Sequence, residues 1–151
     1  FVFLATAVLL VGLPFLVLNS SGPASHMPLG LLRWLSVPLA AAALAVYLTC
    51  VSDFISAGRG TPAPYNPPRN LVSGRIYARV RNPMYLSVLT LIVAEAIFLE
   101  SRAVLAYAAA VWLALHLFVI LYEEPILAHR FGAAYEAYRT AVPRWLPRLS
   151  L

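Results

Sequence analysis

The sequence predicts an all-α integral membrane protein: a helical bundle of four transmembrane helices with an amphipathic interfacial helix at its C-terminal end. Three observations lead there. The chain is 62% hydrophobic with a mean hydropathy of +0.80, too apolar for a soluble domain of 151 residues. Its 17 charged residues, 11 basic and 6 acidic, are clustered between uncharged blocks. Those blocks are about as long as a bilayer is thick.

Phe1 to Leu18 forms the first block, without a charge and interrupted only by Gly12 and Pro14. At 1.5 Å per residue it spans about 27 Å, close to the ~30 Å of hydrocarbon, and Pro14 is expected to kink it. A signal peptide would need a basic start and a small-residue cleavage site, and neither is present. Asn19–Gly30 is rich in turn formers and reads as a short loop. The second span runs from Leu31 to Ser52, with Arg33 and Trp34 as anchors, an alanine-rich centre and Asp53 marking its exit. Ser56–Arg69 carries Pro62, Pro64, Pro67 and Pro68 and reads as an extended or turning arm; Gly58 and Gly60 in it are turn residues.

The third span opens at Pro83. Asn82 suits the N-cap and Pro83 the first helical position, where a missing N–H costs nothing. It continues to Leu99 and contains Glu95, which needs a partner, a wet cavity or a proton if deep, or else sits near the far interface with Glu100 and Arg102. Glu100-Ser101-Arg102 is a tight hairpin. The fourth span, Ala103–Tyr122, holds His116, either an interhelical hydrogen-bonding residue or a substrate contact. After Pro125 the residues Leu127, Phe131, Tyr135 and Tyr138 recur at helical spacing opposite Arg130, Glu136 and Arg139, predicting one amphipathic helix on the interface. Val142–Arg148 then reads as an interfacial tail with Trp145 at headgroup level.

All 11 basic residues are arginines. Arg59, Arg69, Arg75, Arg79 and Arg81 precede the third span, and Arg130, Arg139, Arg144 and Arg148 follow the fourth. The positive-inside rule puts both groups in the cytoplasm, which an even number of spans permits. Both termini and the 56–82 loop are thus expected to be cytoplasmic, in a bacterial inner membrane. The same flanking position explains the net charge of +5 without nucleic acid. The single Cys50 excludes an intramolecular disulfide or a cysteine metal cluster, and no His has a second ligand at metal-binding spacing.

Leu71–Tyr85, reading LVSGRIYARVRNPMY, brings arginines to the mouth of one helix, and Glu123-Glu124-Pro125 ends another. The two look like halves of one polar site. Pro125 disfavours helical backbone at Glu124, so the two carboxylates are expected to leave the helix end in different directions.

The order and spacing of RNPMY, EEPILAHRFGAAYEAY and VPRWLP resemble the membrane methyltransferases, the superfamily of isoprenylcysteine carboxyl methyltransferase and phosphatidylethanolamine N-methyltransferase, over about Thr61–Pro147. The resemblance implies one membrane domain over 1–151, with two N-terminal spans in 1–55 and a methyltransferase-like core in 56–151. It implies S-adenosylmethionine as donor, held at the cytoplasmic ends of the last helices, and a lipophilic or membrane-associated acceptor. Arg69, Asn70, Leu71 and Val72 match a cofactor-lining stretch, Tyr77 its tyrosine, and Asn82, Pro83, Met84 and Tyr85 the segment that opens the third span. Glu123 matches the acidic cofactor contact, and Glu124 completes the pair of the phospholipid branch. Asn82 follows the phospholipid pattern, whereas Val119 stands where the prenylcysteine branch has the arginine that binds its substrate carboxylate. On this reading Glu123 takes the donor's ammonium, while Arg81 and the helix N–H groups near Pro83 take its carboxylate. Tyr77 and Tyr85 pack against its nucleoside. Glu124 or His116 is the base for an amine acceptor. Two other classes remain: a non-catalytic scaffold or sensor that kept the pocket, and a small transporter, for which Glu95 is the cue but no internal repeat exists.

Overall fold

The computed structural model describes residues 6–58 and 70–148, in which every extended element is helical. The expected proline-rich arm with Arg59, the donor-site residue Arg69 and the start of the first span at Phe1 lie outside those residues. The α-helices are α1 (Leu13–Ser20), α2 (Ser36–Ser56), α3 (Pro83–Phe98), α4 (Arg102–Phe118), α5 (Glu124–Phe131) and α6 (Ala133–Ala141). Short 3₁₀ turns cover Pro23–Ser25, Gly30–Leu35 and Arg75–Ala78, and π turns cover Val8–Gly12 and Val119–Glu123.

Among the described residues, two stretches are long and apolar enough to cross a membrane: Gly30–Ser56, 27 residues with hydropathy 1.9, and Arg102–Phe131, 30 residues with hydropathy 2.4. Val8–Ser20 and Pro83–Phe98 are shorter apolar helices. At 16 residues, α3 is about 24 Å long, less than the hydrocarbon thickness. Leucines on the two longer stretches are exposed, among them Leu44 and Leu48 on α2 and Leu113 and Leu117 on α4.

The chain divides into two compact units. The first comprises Phe1–Ala45 and Ser87–Ala114. Its interior includes Ile92, Ala96 and Val104, none with any exposure, and small residues such as Ala43, Ala94 and Ala108 keep helix surfaces narrow where they pack. The expected hairpin at Glu100 is present. Glu100 adopts a positive φ of 53°, and its carboxylate accepts the backbone N–H groups of Leu29 (2.9 Å) and Gly30 (2.8 Å) and faces His26 at 3.1 Å. Those hydrogen bonds hold its carboxyl below the usual carboxylate range, Gly30 contributing most. Ser101 caps α4 by accepting the Val104 N–H, and its backbone bridges to His26. Arg33 stacks over Trp34 and Phe98, whose rings meet edge to face at 5.5 Å. Glu95 is half-buried, one turn before the end of α3.

The second unit comprises Val46–Leu86 and Leu115–Leu151. Here the structure corrects three expectations. First, α2 continues past Asp53 to Ser56; Asp53 is not an exit marker but a buried residue, 3% exposed, whose carboxylate accepts from Arg75 at 2.9 Å. Second, Pro125 does not end the helix, and Glu124 is helical at φ −62°, ψ −43°. The π turn explains this. The Glu124 N–H bonds back to the Val119 carbonyl, so the bonding pattern is already displaced when it reaches the residue without an N–H. Pro14 is accommodated in the same way, with the Leu13 N–H on the Val8 carbonyl. Third, the C-terminal helix is two helices, because Gly132 takes φ 51°, ψ −128°, which favours glycine.

Candidate functional site

Capping chemistry starts the site. Pro83 opens α3 as expected, and the Asn82 carbonyl accepts the Leu86 N–H, the first bond of the helix. Arg81 therefore sits at the mouth of α3. Its guanidinium reaches Glu124 at 3.0 Å and the Tyr135 hydroxyl at 3.4 Å. Glu124 is 7% exposed and is also forked by Arg144, whose Nε and Nη2 donate at 2.7 and 3.0 Å. The expected junction of arginine segment and double glutamate is thus present. Arg81 makes it, whereas Arg75 goes to Asp53 and the Arg79 backbone carbonyl accepts from Arg148.

Glu123 and Glu124 do diverge, although both are helical. Successive residues of a helix point about 100° apart, and that suffices. Glu123 accepts the Tyr85 hydroxyl at 3.0 Å and Glu124 takes the arginines. Between them lies a polar cavity of about 30 Å³ lined by Arg81, Asn82, Val119, Glu123, Glu124, Leu127, Tyr135 and Tyr138. The Nε of Arg81 is buried and has no hydrogen-bond partner. A larger cleft of about 620 Å³ is lined by Pro125, Ile126, His129 and Arg130. Helical spacing turns these residues away from Glu124 and Leu127, so the small cavity, where the ionisable groups converge, is the candidate site.

The other residues singled out in the sequence are placed as follows. Val72, Pro83 and Met84 are buried, Leu71 is half-buried and Asn70 is exposed. Asn70 closes a stem by donating to Gly58 and Ala57, bringing the flanks of residues 59–69 together. Tyr77 does not line the cavity. It is 5% exposed, its ring lies edge-on to Phe54, and its hydroxyl pairs with Cys50. His116 is also away from the cavity lining, with its Nδ1 accepting the Trp145 indole N–H at 2.9 Å. That bond requires an unprotonated Nδ1, so a neutral ring carries its proton on Nε2.

Arg144, Tyr135 and Tyr138 belong to the site and were not singled out for it. The tail, expected at headgroup level, folds back onto the protein. The Arg81 N–H donates to the Pro143 carbonyl, the Asn82 amide to the Arg144 carbonyl and the Arg148 N–H to the Arg79 carbonyl. The aromatic face of α6 likewise turns into the protein, with Tyr135 2% exposed and the Tyr138 hydroxyl on the Tyr77 carbonyl at 2.8 Å. Burial raises the phenols of both tyrosines above their ordinary range, so both stay neutral, Tyr138 donating to the Tyr77 carbonyl and Tyr135 accepting from Arg81. The i,i+3 spacing of the two tyrosines was the available signal. For Arg144 the signal was weaker: an arginine fixed between two prolines. Among the described residues no group of three or more His, Cys, Asp or Glu could hold a metal ion.

The family model described as phospholipid methyltransferase matches residues 29–134, well over half of the chain. No curated protein matches it.

Proposed function

The chain belongs to the phospholipid methyltransferase family, and from that membership we propose that it transfers a methyl group from S-adenosylmethionine to a lipophilic or membrane-associated small acceptor. Four spans, with both basic segments and both termini in the cytoplasm of a bacterial inner membrane, complete the reading. One observation carries the site assignment: the two motif segments meet, with Glu123 on Tyr85 and Glu124 on Arg81.

The donor set fits the amino-acid end of such a donor. Glu123, held by a neutral phenol rather than a cation, can take an ammonium, and the unpartnered Nε of Arg81 can take a carboxylate. The fit is one of chemistry and not yet of volume, since about 30 Å³ is far below the ~300–1,000 Å³ of ligand pockets. When bound, the donor supplies a sulfonium methyl, an electrophile that needs in-line positioning and exclusion of water. Tyr85 fixes the Glu123 carboxylate, Asn82 and Pro83 fix the mouth of α3, and Tyr135 and Tyr138 wall the cavity. For an amine acceptor, Glu124 is the proton acceptor that lines the cavity; His116, engaged by Trp145, supports the tail.

Titration calorimetry of the purified protein with S-adenosylhomocysteine tests the donor site. Binding is expected, weakened about 10- to 150-fold in Glu123→Gln through loss of a charge-assisted contact. No heat at millimolar ligand would overturn the proposal. Mass spectrometry of lipid extracts after incubation with isotopically labelled donor identifies the acceptor, and donor binding with no labelled product would favour a sensor.

A further inference from the structure

The chain's own C-terminal segment, which lies beyond the family-matched residues 29–134, is bonded to three residues that line the small cavity, Arg81, Asn82 and Glu124. Two backbone hydrogen bonds pin this segment beside the mouth of α3. The Arg81 N–H donates to Pro143 at 2.9 Å, and the Arg148 N–H donates to Arg79 at 3.0 Å. The residues between Pro143 and Arg148 outnumber those between Arg79 and Arg81, so the segment must bow away from the backbone it is tied to. A proline near each end of the bow, Pro143 and Pro147, fixes φ there and stiffens it. The bow carries three inward contacts, Arg144 onto Glu124, the Arg144 carbonyl accepting from the Asn82 amide, and Trp145 onto His116, while Leu146 is 81% exposed.

We propose that residues 143–148 are a strap gating the donor site, and that Arg144 is its latch. This rests on the function proposed above. A cavity of about 30 Å³ cannot admit a nucleoside-bearing amino acid. Lifting the strap breaks the Arg144–Glu124 fork, the Asn82–Arg144 and Trp145–His116 bonds, and the two backbone bonds at Arg81 and Arg79. The Arg81–Glu124 contact stays within the remaining wall, so the site opens without leaving Glu124 buried and unpaired. Closing the strap over the ligand excludes water. Arg144 is thus a positioning residue, because it acts through the strap and through Glu124.

Three measurements test this. In surface plasmon resonance with S-adenosylhomocysteine, Arg144→Ala is expected to raise association and dissociation rates together, each by roughly tenfold or more, leaving affinity less changed than either rate. Unchanged rates would overturn the gate. A lock built by Arg79→Cys with Arg148→Cys, whose backbones are hydrogen-bonded at 3.0 Å, should abolish association when oxidised and restore it on reduction. An oxidised lock that binds at the wild-type rate would also overturn it. Amide hydrogen exchange without ligand gives the third arm: Arg144→Ala should speed exchange at Arg81 and Arg148, and unchanged protection refutes the latch. Failure of the wild-type protein to bind the probe would strike the proposed donor site, and the exchange arm would still decide on the strap.

Discussion

Replacing Glu124 by Gln keeps side-chain volume and removes a charge that two guanidinium groups share. The Glu124 side chain is 9% exposed and that of Arg81 is 10% exposed, so the substitution leaves Arg81 buried with the Tyr135 hydroxyl and a neutral amide. Breaking a buried pair from one side costs about 3–5 kcal/mol. Arg144→Ala is milder, because Glu124 keeps Arg81 and Arg144 is 30% exposed. Its cost is about 1.5 kcal/mol, the low end for a hydrogen bond to a charged group. In the Glu124→Gln background Arg144 has lost its partner, so removing it as well should cost almost nothing. The double variant should then match Glu124→Gln alone, with a coupling of about 1.5 kcal/mol. Equilibrium unfolding by sodium dodecyl sulfate in mixed micelles, followed by circular dichroism, supplies all four corners of the cycle. Two costs that add within about 0.5 kcal/mol, or an Arg144→Ala cost equal to that of Glu124→Gln, would refute the assignment of Glu124 as hub.

Gly132→Ala should cost about 1–3 kcal/mol through backbone strain alone, since an added Cβ meets nothing within 4 Å; the same unfolding assay would disprove this by showing a gain. The Glu100 carboxyl is lowered in the folded chain, so its contribution is full above the unfolded pKa and fades as pH falls through the folded one. Amide exchange at Leu29 and Gly30 should accelerate below about pH 4 in the wild type but show no such step in Glu100→Gln, and protection that is flat with pH would contradict the clamp. For topology, cysteines placed in 56–70 and after Arg144 should label only from the cytoplasmic side, and labelling of 20–25 from that side would reverse the orientation.

What could be read from the chain depended on range. The opening of α3 was legible because Pro83 supplies its own geometry at the first helical position, whereas the bond from the Asn82 amide to the Arg144 carbonyl had no local sign. The hairpin at Glu100–Arg102 was legible because so short a link has few forms. The pairing of the arginine segment with Glu124 was legible because isolated charges beside apolar spans need partners, but the choice of Arg81 over Arg75 was not. Arg75 is drawn to Asp53, whose burial inside α2 no local pattern announced. The role of Arg144 was hidden for a similar reason. Counting arginines per loop gave orientation, and that bulk argument is blind to one guanidinium folding back 20 residues onto a carboxylate. The break at Gly132 did have a local sign, a glycine closing a helical run, which the amphipathic pattern on both sides masked.

The π turn at Val119–Glu123 makes the register of the second half of the site a matter of one residue. A π turn holds one more residue than the α turn it replaces, and in an α-helix one residue is worth about 100° of rotation. Deleting Ile120 would let the stretch relax to ordinary α-helix while everything beyond it keeps the direction it has now, Glu123 toward Tyr85 and Glu124 toward Arg81. The same deletion inside the regular part of α4 would instead turn both carboxylates by about 100° and bring Glu124 toward Tyr85. The π turn is therefore the point at which this helix can lose a residue and still present the same carboxylate to the same tyrosine.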